Sequence, residues 1–316
     1  YCQGLRQKVN ITAIAEAIES GQLKVYSDVM HGAAATGLER LLGVGITELR
    51  GNRDPLFGGG SPEPLPRNLT EIIDKLAHSA NLAPLRVGLV FDGDSDRVAA
   101  IDGQGNFLST QNLIPILIEH LAGKKGMRGE IVKTVSGSDL IPKLASLYGL
   151  SVFETPIGYK YIADRMLTTP VLIGGEESGG VGYGTHIPER DALLSALYVL
   201  EAVVESGQDL SDLYAQLQDK TGFHSQYDRI DLPLANMEAR DQLITALDQE
   251  PLREIAGKQV TDCNPIDGYK FRLEDGSWLL IRFSGTEPVL RLYCESSTLD
   301  RVHEILAWAK SWATYI

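Results

Sequence analysis

An apolar stretch that ends in three closely spaced carboxylates constrains this chain more than any other part of the sequence. The stretch runs from Val87 to Phe91, and Asp92, Asp94 and Asp96 follow at every second position, with Arg97 directly after them. Alternate side chains of an extended segment share a face, so the three carboxylates can converge. Like charges held that close repel one another unless a cation lies between them. The pattern therefore predicts a strand that ends in a metal-binding loop.

The ligand type indicates which metal ion this loop would hold. Carboxylate oxygens favour Mg²⁺ or Ca²⁺ over zinc, and three of them with open positions suit Mg²⁺ completed by a phosphate oxygen. A calcium-binding EF-hand loop also begins with alternating aspartates, but it needs Gly at its sixth position and Glu at its twelfth. Arg97 and Gly103 stand at those positions here. We therefore expect Mg²⁺ rather than an EF-hand calcium ion.

Two other interpretations of the aspartate loop compete with a metal site. A solvated acidic turn is common for such sequences, but the third aspartate, Arg97 and the position at a strand end argue against it, because α/β folds bind ligands at strand ends. A phosphatase that uses Asp92 as the nucleophile and Asp94 as the acid remains an open alternative.

Length, charge and cysteine content limit the function further. The 316 residues suffice for two or three domains, and the formal net charge of -13 argues against nucleic acid or an anionic membrane as a partner. An anionic substrate would therefore have to be met by a metal and a few local arginines. Three cysteines lie scattered without metal-ligand spacing: Cys2, Cys263 and Cys294. With no signal-peptide or membrane-span pattern, they favour a reducing cytoplasmic location.

Alternating helix and strand patterns predict two related α/β units. Residues 1–106 form the first unit, which begins with an amphipathic helix over Tyr1–Ser20 and a strand at Leu23–Asp28. Residues 107–224 form the second and repeat the same order, with a strand at Ile131–Val135. We expect mixed, mostly parallel sheets with covering helices in both units.

The last part of the chain has a different pattern. Residues 225–316 contain three predicted strands and a closing helix: Tyr269–Leu273, Trp278–Phe283, Val289–Glu295 and Thr298–Trp312. Short alternating segments joined by an Asp-Gly turn are typical of an antiparallel meander. The fold class is therefore α/β, with two related α/β domains followed by a smaller α+β C-terminal domain that contains an antiparallel sheet.

A second candidate loop follows a strand predicted at Val171–Ile173. It reads Gly-Gly-Glu-Glu-Ser-Gly-Gly over residues 174–180, so it presents carboxylates on a glycine-flanked turn. Carboxylates suit the binding of neutral diols because each oxygen accepts a hydroxyl proton. A solvated acidic turn is the alternative. Further along, Asp191 is the predicted N-cap of an apolar helix, and Arg190 would project toward the same cleft.

A third candidate loop joins the last two predicted strands. It reads Arg-Phe-Ser-Gly-Thr-Glu-Pro over residues 282–288, and Arg291 follows. Hydroxyls, a flexible glycine amide and flanking guanidinium groups can form a phosphate cradle, although an ordinary hairpin loop would have a similar composition. His31, in a small-residue turn after the first strand, is either a catalytic base or a histidine that caps or packs the turn.

These three loops, in this order and at these separations, resemble those of the α-D-phosphohexomutases, the phosphoglucomutase and phosphomannomutase family. The resemblance covers essentially the whole chain. It implies an enzyme of the isomerase class that moves a phosphate between O1 and O6 of a hexose through a phosphoserine and a bisphosphorylated sugar. It also implies three related α/β domains and a smaller C-terminal domain, with Mg²⁺ as the cofactor and glucose 1,6-bisphosphate as intermediate or activator.

The resemblance assigns roles to individual residues. Asp92, Asp94 and Asp96 are similar to the Mg²⁺ ligands, and Arg97 to the arginine that contacts the phosphoserine. The remaining assignments are substrate-binding: Glu176 and Ser178 for the sugar hydroxyls, and Arg282, Ser284, Gly285, Thr286 and Arg291 for the phosphate that is not transferred. Arg190 stands where some relatives have a lysine near the reacting group, and Lys160 is a further catalytic candidate in a variable loop.

One family motif has no counterpart here. The family's nucleophile lies in an N-terminal domain, in a Thr-Ala-Ser-His-Asn-Pro-like loop that nothing in this chain matches. The resemblance therefore implies that these residues correspond to domains two to four of a mutase, and we expect them to be inactive alone and partnered by the missing first domain of the same protein. The alternative is a non-catalytic sugar-phosphate binding protein. The Glu176-Glu177-Ser178 sequence resembles glucose and mannose mutases more than the glucosamine branch, which has Gln at the second position.

Overall fold

The first unit is built on a five-stranded mixed sheet. The computed structural model describes residues 1–315, and in it the strands have the order β2-β1-β3-β4-β5. Their bounds are β1 Leu23–Asp28, β2 Thr47–Leu49, β3 Leu85–Phe91, β4 Val98–Ile101 and β5 Phe107–Leu108. The pairs β1–β2 and β1–β3 are parallel, whereas β3–β4 and β4–β5 are antiparallel. The first sheet thus extends just past the predicted boundary at residue 106.

Four helices belong to this unit: α1 Cys2–Arg6, α2 Ile11–Glu19, α3 Gly37–Leu42 and α4 Thr70–Ala77. Short 3-10 turns at Phe57–Gly59 and Pro66–Asn68 lie in the Pro- and Gly-rich loop before α4. The single helix predicted over Tyr1–Ser20 is wrong. Asn10 begins a new helix because its side-chain oxygen accepts a hydrogen bond from the amide of Ala13 at 3.2 Å.

The second unit repeats the arrangement on a four-stranded sheet of order β7-β6-β8-β9. The strand bounds are β6 Glu130–Thr134, β7 Val152–Thr155, β8 Val171–Gly175 and β9 Val181–Tyr183. β6 pairs parallel with β7 and β8, and β9 pairs antiparallel with β8. The helices are α5 Thr110–Ile118 with a π-helical continuation at Glu119–Lys124, α6 Leu140–Leu147, α7 Tyr159–Thr168, α8 Ala192–Ser206 and α9 Leu210–Thr221.

Helix α8 joins the two α/β units into one core. Eleven of its residues are buried, on every side of the helix, as expected for a helix packed on several neighbours. A single apolar cluster contains Val87 and Leu89 from the first sheet, Ile173 and Val181 from the second, and Leu197 from α8. Because interiors are close-packed, this shared core fixes the strand ends of the two sheets relative to each other.

The C-terminal unit carries a six-stranded antiparallel sheet of order β10-β15-β14-β13-β12-β11. The bounds are β10 Gln226–Pro233, β11 Glu254–Ile255, β12 Lys258–Asn264, β13 Tyr269–Leu273, β14 Trp278–Phe283 and β15 Val289–Ser296, with helices α10 Met237–Gln249 and α11 Leu299–Tyr315. The predicted meander is confirmed, and so is the fold class.

The C-terminal unit is anchored to the second unit by buried polar groups. Glu295 on β15 accepts hydrogen bonds from the amide of Asp139 at 2.9 Å and from the indole of Trp278 at 2.7 Å. Lys270 on β13 is fully buried and donates to the carbonyl of Val135 at 2.7 Å. These groups form a seam between the two units. None of the helices within residues 1–315 has the length and apolar character needed to cross a membrane.

Candidate active site

The aspartate loop connects β3 to β4 as a tight turn. One oxygen of Asp92 accepts hydrogen bonds from the amides of Asp96 and Arg97, both at 3.1 Å. Ser95, directly before Asp96, has a φ of 64°. The turn brings Asp92, Asp94 and Asp96 together, with one carboxylate oxygen of each within 4.8 Å of the others. The convergence predicted from the alternating spacing is therefore present, although a turn rather than an extended segment produces it.

Burial disfavours the ionised form of two of these carboxylates, Asp92 and Asp96, and so raises their pKa values. It raises the pKa of Asp92 to about 6, and the charges of Asp96 and Asp94 add to the effect against the amide of Arg97. Burial also raises the pKa of Asp96, and the guanidinium of Arg190 opposes that shift. One oxygen of Asp96 is buried without a hydrogen-bond partner among the described residues. A hard divalent cation fits this donor set because it would satisfy that oxygen and offset the repulsion.

A turn of small residues supports the aspartate loop from the end of β1. The amide of Ala33 donates to the carbonyl of Gly93 at 3.0 Å, and the amide of Ala34 donates to the hydroxyl of Ser95 at 2.7 Å. A Cβ at Gly32 would lie 2.5 Å from the Gly93 oxygen, so only glycine permits this approach. His31 lies in the same turn, with its Nδ1 2.9 Å from the carbonyl oxygen of Asn52.

The glutamate loop connects β8 to β9. The amide of Glu176 donates to the carbonyl of Gly180 at 2.9 Å, which closes the turn. The Glu176 carboxylate is buried and accepts the amide of Gly158 at 3.0 Å; burial raises its pKa, and the charge of Glu177 adds to the shift. Glu177 accepts the hydroxyl of Ser136 at 2.5 Å, at the end of β6. Ser178 is half-buried beside them.

The aspartate and glutamate loops are joined at the backbone. Arg97 and Gly180 form an antiparallel bridge, and the amide of Val98 donates to the carbonyl of Gly179 at 3.0 Å. A Cβ at Gly179, where φ is 118°, would lie 2.7 Å from the Cβ of Arg97. The glycines that flank the Glu-Glu-Ser sequence therefore allow two sheets to meet at their strand ends.

Arg190 completes this junction. Its guanidinium lies 2.5 Å from the carboxylate of Asp96 and 5.4 Å from the ring centre of Tyr159. Asp191 is the N-cap of α8, as its side chain accepts the amide of Leu194 at 2.9 Å. Lys160, by contrast, is exposed in the first turn of α7, with its ammonium 4.8 Å from the ring centre of Tyr161. Within residues 1–315 it forms no ion pair with the aspartate loop.

The third loop connects β14 to β15. Arg282 and Arg291 are directly opposite each other on these strands. Two like charges at opposed positions repel, so the pair favours an anion between them. The hydroxyl oxygen of Ser284 accepts the amides of Thr286 at 3.5 Å and Glu287 at 3.3 Å, so its proton can be donated elsewhere. Gly285 and Thr286 are exposed at the tip.

Two supporting residues of this loop were missed from the sequence. Asp267 accepts the Nε–H of Arg282 at 2.9 Å, and Arg240 on α10 donates to the carbonyl of Ser284 at 3.1 Å. Arg240 lies in an amphipathic helix with nothing in its sequence to indicate the contact. The Asp-Gly pair at 267–268, directly before β13, is the one signal that could have drawn attention to Asp267.

Comparison with known proteins identifies the family. Family models of phosphoglucomutase/phosphomannomutase match three consecutive parts of the chain: alpha/beta/alpha domain II over residues 1–105, alpha/beta/alpha domain III over 110–221 and the C-terminal domain over 235–308. The chain therefore belongs to the α-D-phosphohexomutase family, as the three loops predicted.

Individual relatives carry several substrate names. A Methanothermobacter thermautotrophicus protein provisionally named phosphoglucosamine mutase is 31% identical over 93% of this chain and 62% of its own length. A Thermococcus kodakarensis phosphoglucomutase/phosphomannomutase is 28% identical over 97% of this chain and 63% of its own. The solved structure of a Thermus thermophilus protein, provisionally assigned as a phosphomannomutase, has 30% identity and a TM-score of 0.84 over 99% of this chain and 65% of that one. The chain thus spans less than two thirds of the length of these relatives.

Proposed function

We propose that this chain supplies the metal, sugar and phosphate sites of a mutase that moves phosphate between O1 and O6 of a hexose. The observation that carries the proposal is the backbone bridge between Arg97 and Gly180. It places a carboxylate set suited to a metal next to a buried carboxylate suited to sugar hydroxyls. A mutase needs that adjacency because the phosphate to be transferred and the ring that carries it are bound together.

Each loop then has a distinct role. Asp92, Asp94 and Asp96 would hold Mg²⁺, which polarises a phosphoryl group when bound. Glu176 and Ser178 would bind ring hydroxyls. Arg282 and Arg291 would bind the phosphate that is not transferred, because guanidinium groups form charge-assisted pairs with phosphate oxygens.

The whole reaction needs a nucleophile as well. We infer that a phosphoserine accepts and returns the phosphoryl group and that a further family domain provides it, so that the 316 residues alone turn over no substrate. Arg97, whose Nε lies 3.5 Å from Asp92, would neutralise charge beside that phosphoserine. Arg190 would serve the same cleft from the second unit.

The sugar is the finer part of the proposal. Glu177 at the second loop position favours a glucose or mannose phosphate, whereas the name of one relative indicates glucosamine phosphate. The Glu177 carboxylate accepts a hydrogen bond from the hydroxyl of Ser136, so it stabilises the loop. We propose the phosphate of a hexose without an amino group, since the buried Glu176 carboxylate is suited to hydroxyl groups.

The test is calorimetric titration of the chain with glucose 1-phosphate, mannose 1-phosphate, glucosamine 1-phosphate and inorganic phosphate. Arg282→Ala should weaken all four by roughly 10- to 100-fold, because a charge-assisted hydrogen bond contributes about 1.5–3 kcal/mol. Glu176→Gln should weaken the sugar phosphates and spare inorganic phosphate. Phosphate affinity unchanged in Arg282→Ala would mean that residues 282–288 are only a hairpin loop.

Two alternatives have their own outcomes. Phosphate release from small esters by the chain, lost in Asp92→Asn, would favour a phosphatase. Sugar-phosphate binding without turnover, in a protein that natively has no phosphoserine domain, would favour a binding protein. Conversion of glucose 1-phosphate to glucose 6-phosphate by the chain alone, with glucose 1,6-bisphosphate added, would overturn the assignment of the nucleophile.

A further inference from the structure

One carboxylate links the phosphate loop of the C-terminal unit to the second unit. The same oxygen of Asp267 accepts the Nε–H of Arg282 and the amide of Ile157, each at 2.9 Å. Ile157 lies between β7 and α7, so the two donors come from different units. Arg282 is thus oriented by a group that is itself held by the neighbouring unit.

The next amide along the chain contacts the glutamate loop. Gly158 donates to the carboxylate of Glu176 at 3.0 Å. The N–H groups of Ile157 and Gly158 belong to successive planar peptide groups that meet at the Cα of Ile157, so a displacement of one is transmitted to the other through the backbone of a single residue. Hydrogen bonds at Asp267 and at Glu176, joined by the backbone of Ile157, therefore connect Arg282 to Glu176.

Local backbone geometry holds Asp267 in this position. Gly268 has a φ of 86°, and a Cβ there would lie 2.4 Å from the carbonyl oxygen of Ile281. Only glycine lets the turn lie this close to β14, and that approach places Asp267 beside Arg282. Gly158 has a φ of 135°, another conformation that favours glycine.

We propose that Asp267 is a positioning residue that couples the phosphate anchor to the sugar-binding carboxylate. It sets the separation between Arg282 and Glu176, and hence the distance between the phosphate and the ring hydroxyls that the site accepts. This proposal rests on the proposed function, because it takes Arg282 and Glu176 as the two substrate contacts. Asp267 itself would contact neither the sugar ring nor the phosphate, because its anionic oxygens would repel the phosphate.

Charge gives the coupling a distinctive signature. Asp267 neutralises part of the Arg282 charge, so Asp267→Asn should leave the affinity for inorganic phosphate unchanged or a few-fold tighter. Glucose 1-phosphate gains affinity over inorganic phosphate from Glu176, and that gain depends on the separation. The dissociation constant of inorganic phosphate divided by that of glucose 1-phosphate measures this gain. We expect this ratio to fall about 10-fold in Asp267→Asn, which is on the order of one hydrogen bond to a charged group.

The experiment measures this ratio by calorimetric titration with glucose 1-phosphate and inorganic phosphate. Asp248→Asn is the matched control, because Asp248 accepts the hydroxyl of Tyr269 in the same unit, whereas the side chain of Arg282 pairs with Asp267. The double variant Asp267→Asn/Glu176→Gln should lose little more than either single variant. Asp267→Glu, which keeps the charge, should restore part of the ratio.

The outcomes separate the two proposals. If Arg282→Ala leaves phosphate binding intact, the proposed function fails. If Arg282→Ala weakens phosphate binding but Asp267→Asn leaves the ratio at the wild-type value, the coupling alone is wrong. A loss of affinity for both ligands by the same factor in Asp267→Asn would also overturn the coupling, because a merely structural role predicts it. Tryptophan fluorescence would check the folding of the C-terminal unit, which contains all three tryptophans: Trp278, Trp308 and Trp312. Circular dichroism would check the variants at Glu176, which lies in the second unit.

Discussion

The guanidinium of Arg190, directly before the N-cap of α8, lies 2.5 Å from the carboxylate of Asp96 in the first unit. The arginine thus forms an ion pair with one of the three carboxylates that could bind a metal. It stabilises the loop when the cation is absent, because it offsets part of the repulsion among Asp92, Asp94 and Asp96.

This ion pair makes a prediction about metal affinity. Arg190→Met should tighten Mg²⁺ binding by roughly 10-fold, because it frees Asp96 and removes a positive charge beside the cation. Calorimetric titration measures the change. Arg165→Met is the control, since Arg165 forms an equally short pair with Glu130 in the second unit. Weaker Mg²⁺ binding in Arg190→Met would mean that the arginine is needed to shape the loop.

Asp94, the exposed member of the three aspartates, offers the least disruptive test of the metal site. If the proposed phosphoserine supplies a further ligand, wild-type Mg²⁺ binding by this chain should be weak, because only three carboxylates within residues 1–315 converge here. Asp94→Asn should weaken the binding by a further factor of roughly 10, as one anionic ligand is lost. Asp164→Asn, an exposed change on α7, should have no effect. Tight binding that survives Asp94→Asn would place the ion elsewhere.

The junction of the two loops predicts a stability effect. Gly179→Ala should reduce the free energy of unfolding by about 2 kcal/mol or more, because the new Cβ meets Arg97 and the backbone conformation disfavours a side chain. Urea denaturation followed by circular dichroism measures the loss. Gly149→Ala is the control, since Gly149 also has a positive φ but its Cβ would meet nothing within 4 Å. Equal losses in the two variants would show that backbone strain alone matters.

The seam between the second and C-terminal units predicts a pH dependence. Burial, with the charge of Lys133, lowers the pKa of Lys270 to about 7, although Asp139 and Glu154 oppose the shift. Between pH 7 and about 10 the unfolded chain therefore binds a proton at Lys270 that the folded protein does not, so this group makes folding more favourable as pH rises. The unfolding free energy of the wild type should increase relative to that of Lys270→Met over this range.

Tryptophan fluorescence during urea unfolding at about pH 7 and about pH 9, on either side of the midpoint of this range, would measure the difference. Lys258→Met is the control, because Lys258 forms an exposed pair with Glu274 in the same unit. A wild-type stability that falls relative to Lys270→Met as pH rises would contradict the shift.

The sequence by itself determined the family, the fold class and the composition of the three candidate loops. Each of these depends on local order: alternating aspartates after an apolar strand, glycines that flank a Glu-Glu-Ser turn, and a hairpin loop between two arginines. Such patterns are readable because strand ends and turns impose strict local requirements on side chains and φ angles.

Only the tertiary structure decided how the loops meet. The Arg97–Gly180 bridge, the Arg190–Asp96 pair and the path from Arg282 through Asp267 to Glu176 join residues that are far apart in the chain. The break before Asn10 likewise depends on a cap that a continuous apolar pattern concealed. Contacts of this kind follow from the packing of two sheets around α8 and the docking of the C-terminal unit, and no local pattern encodes them.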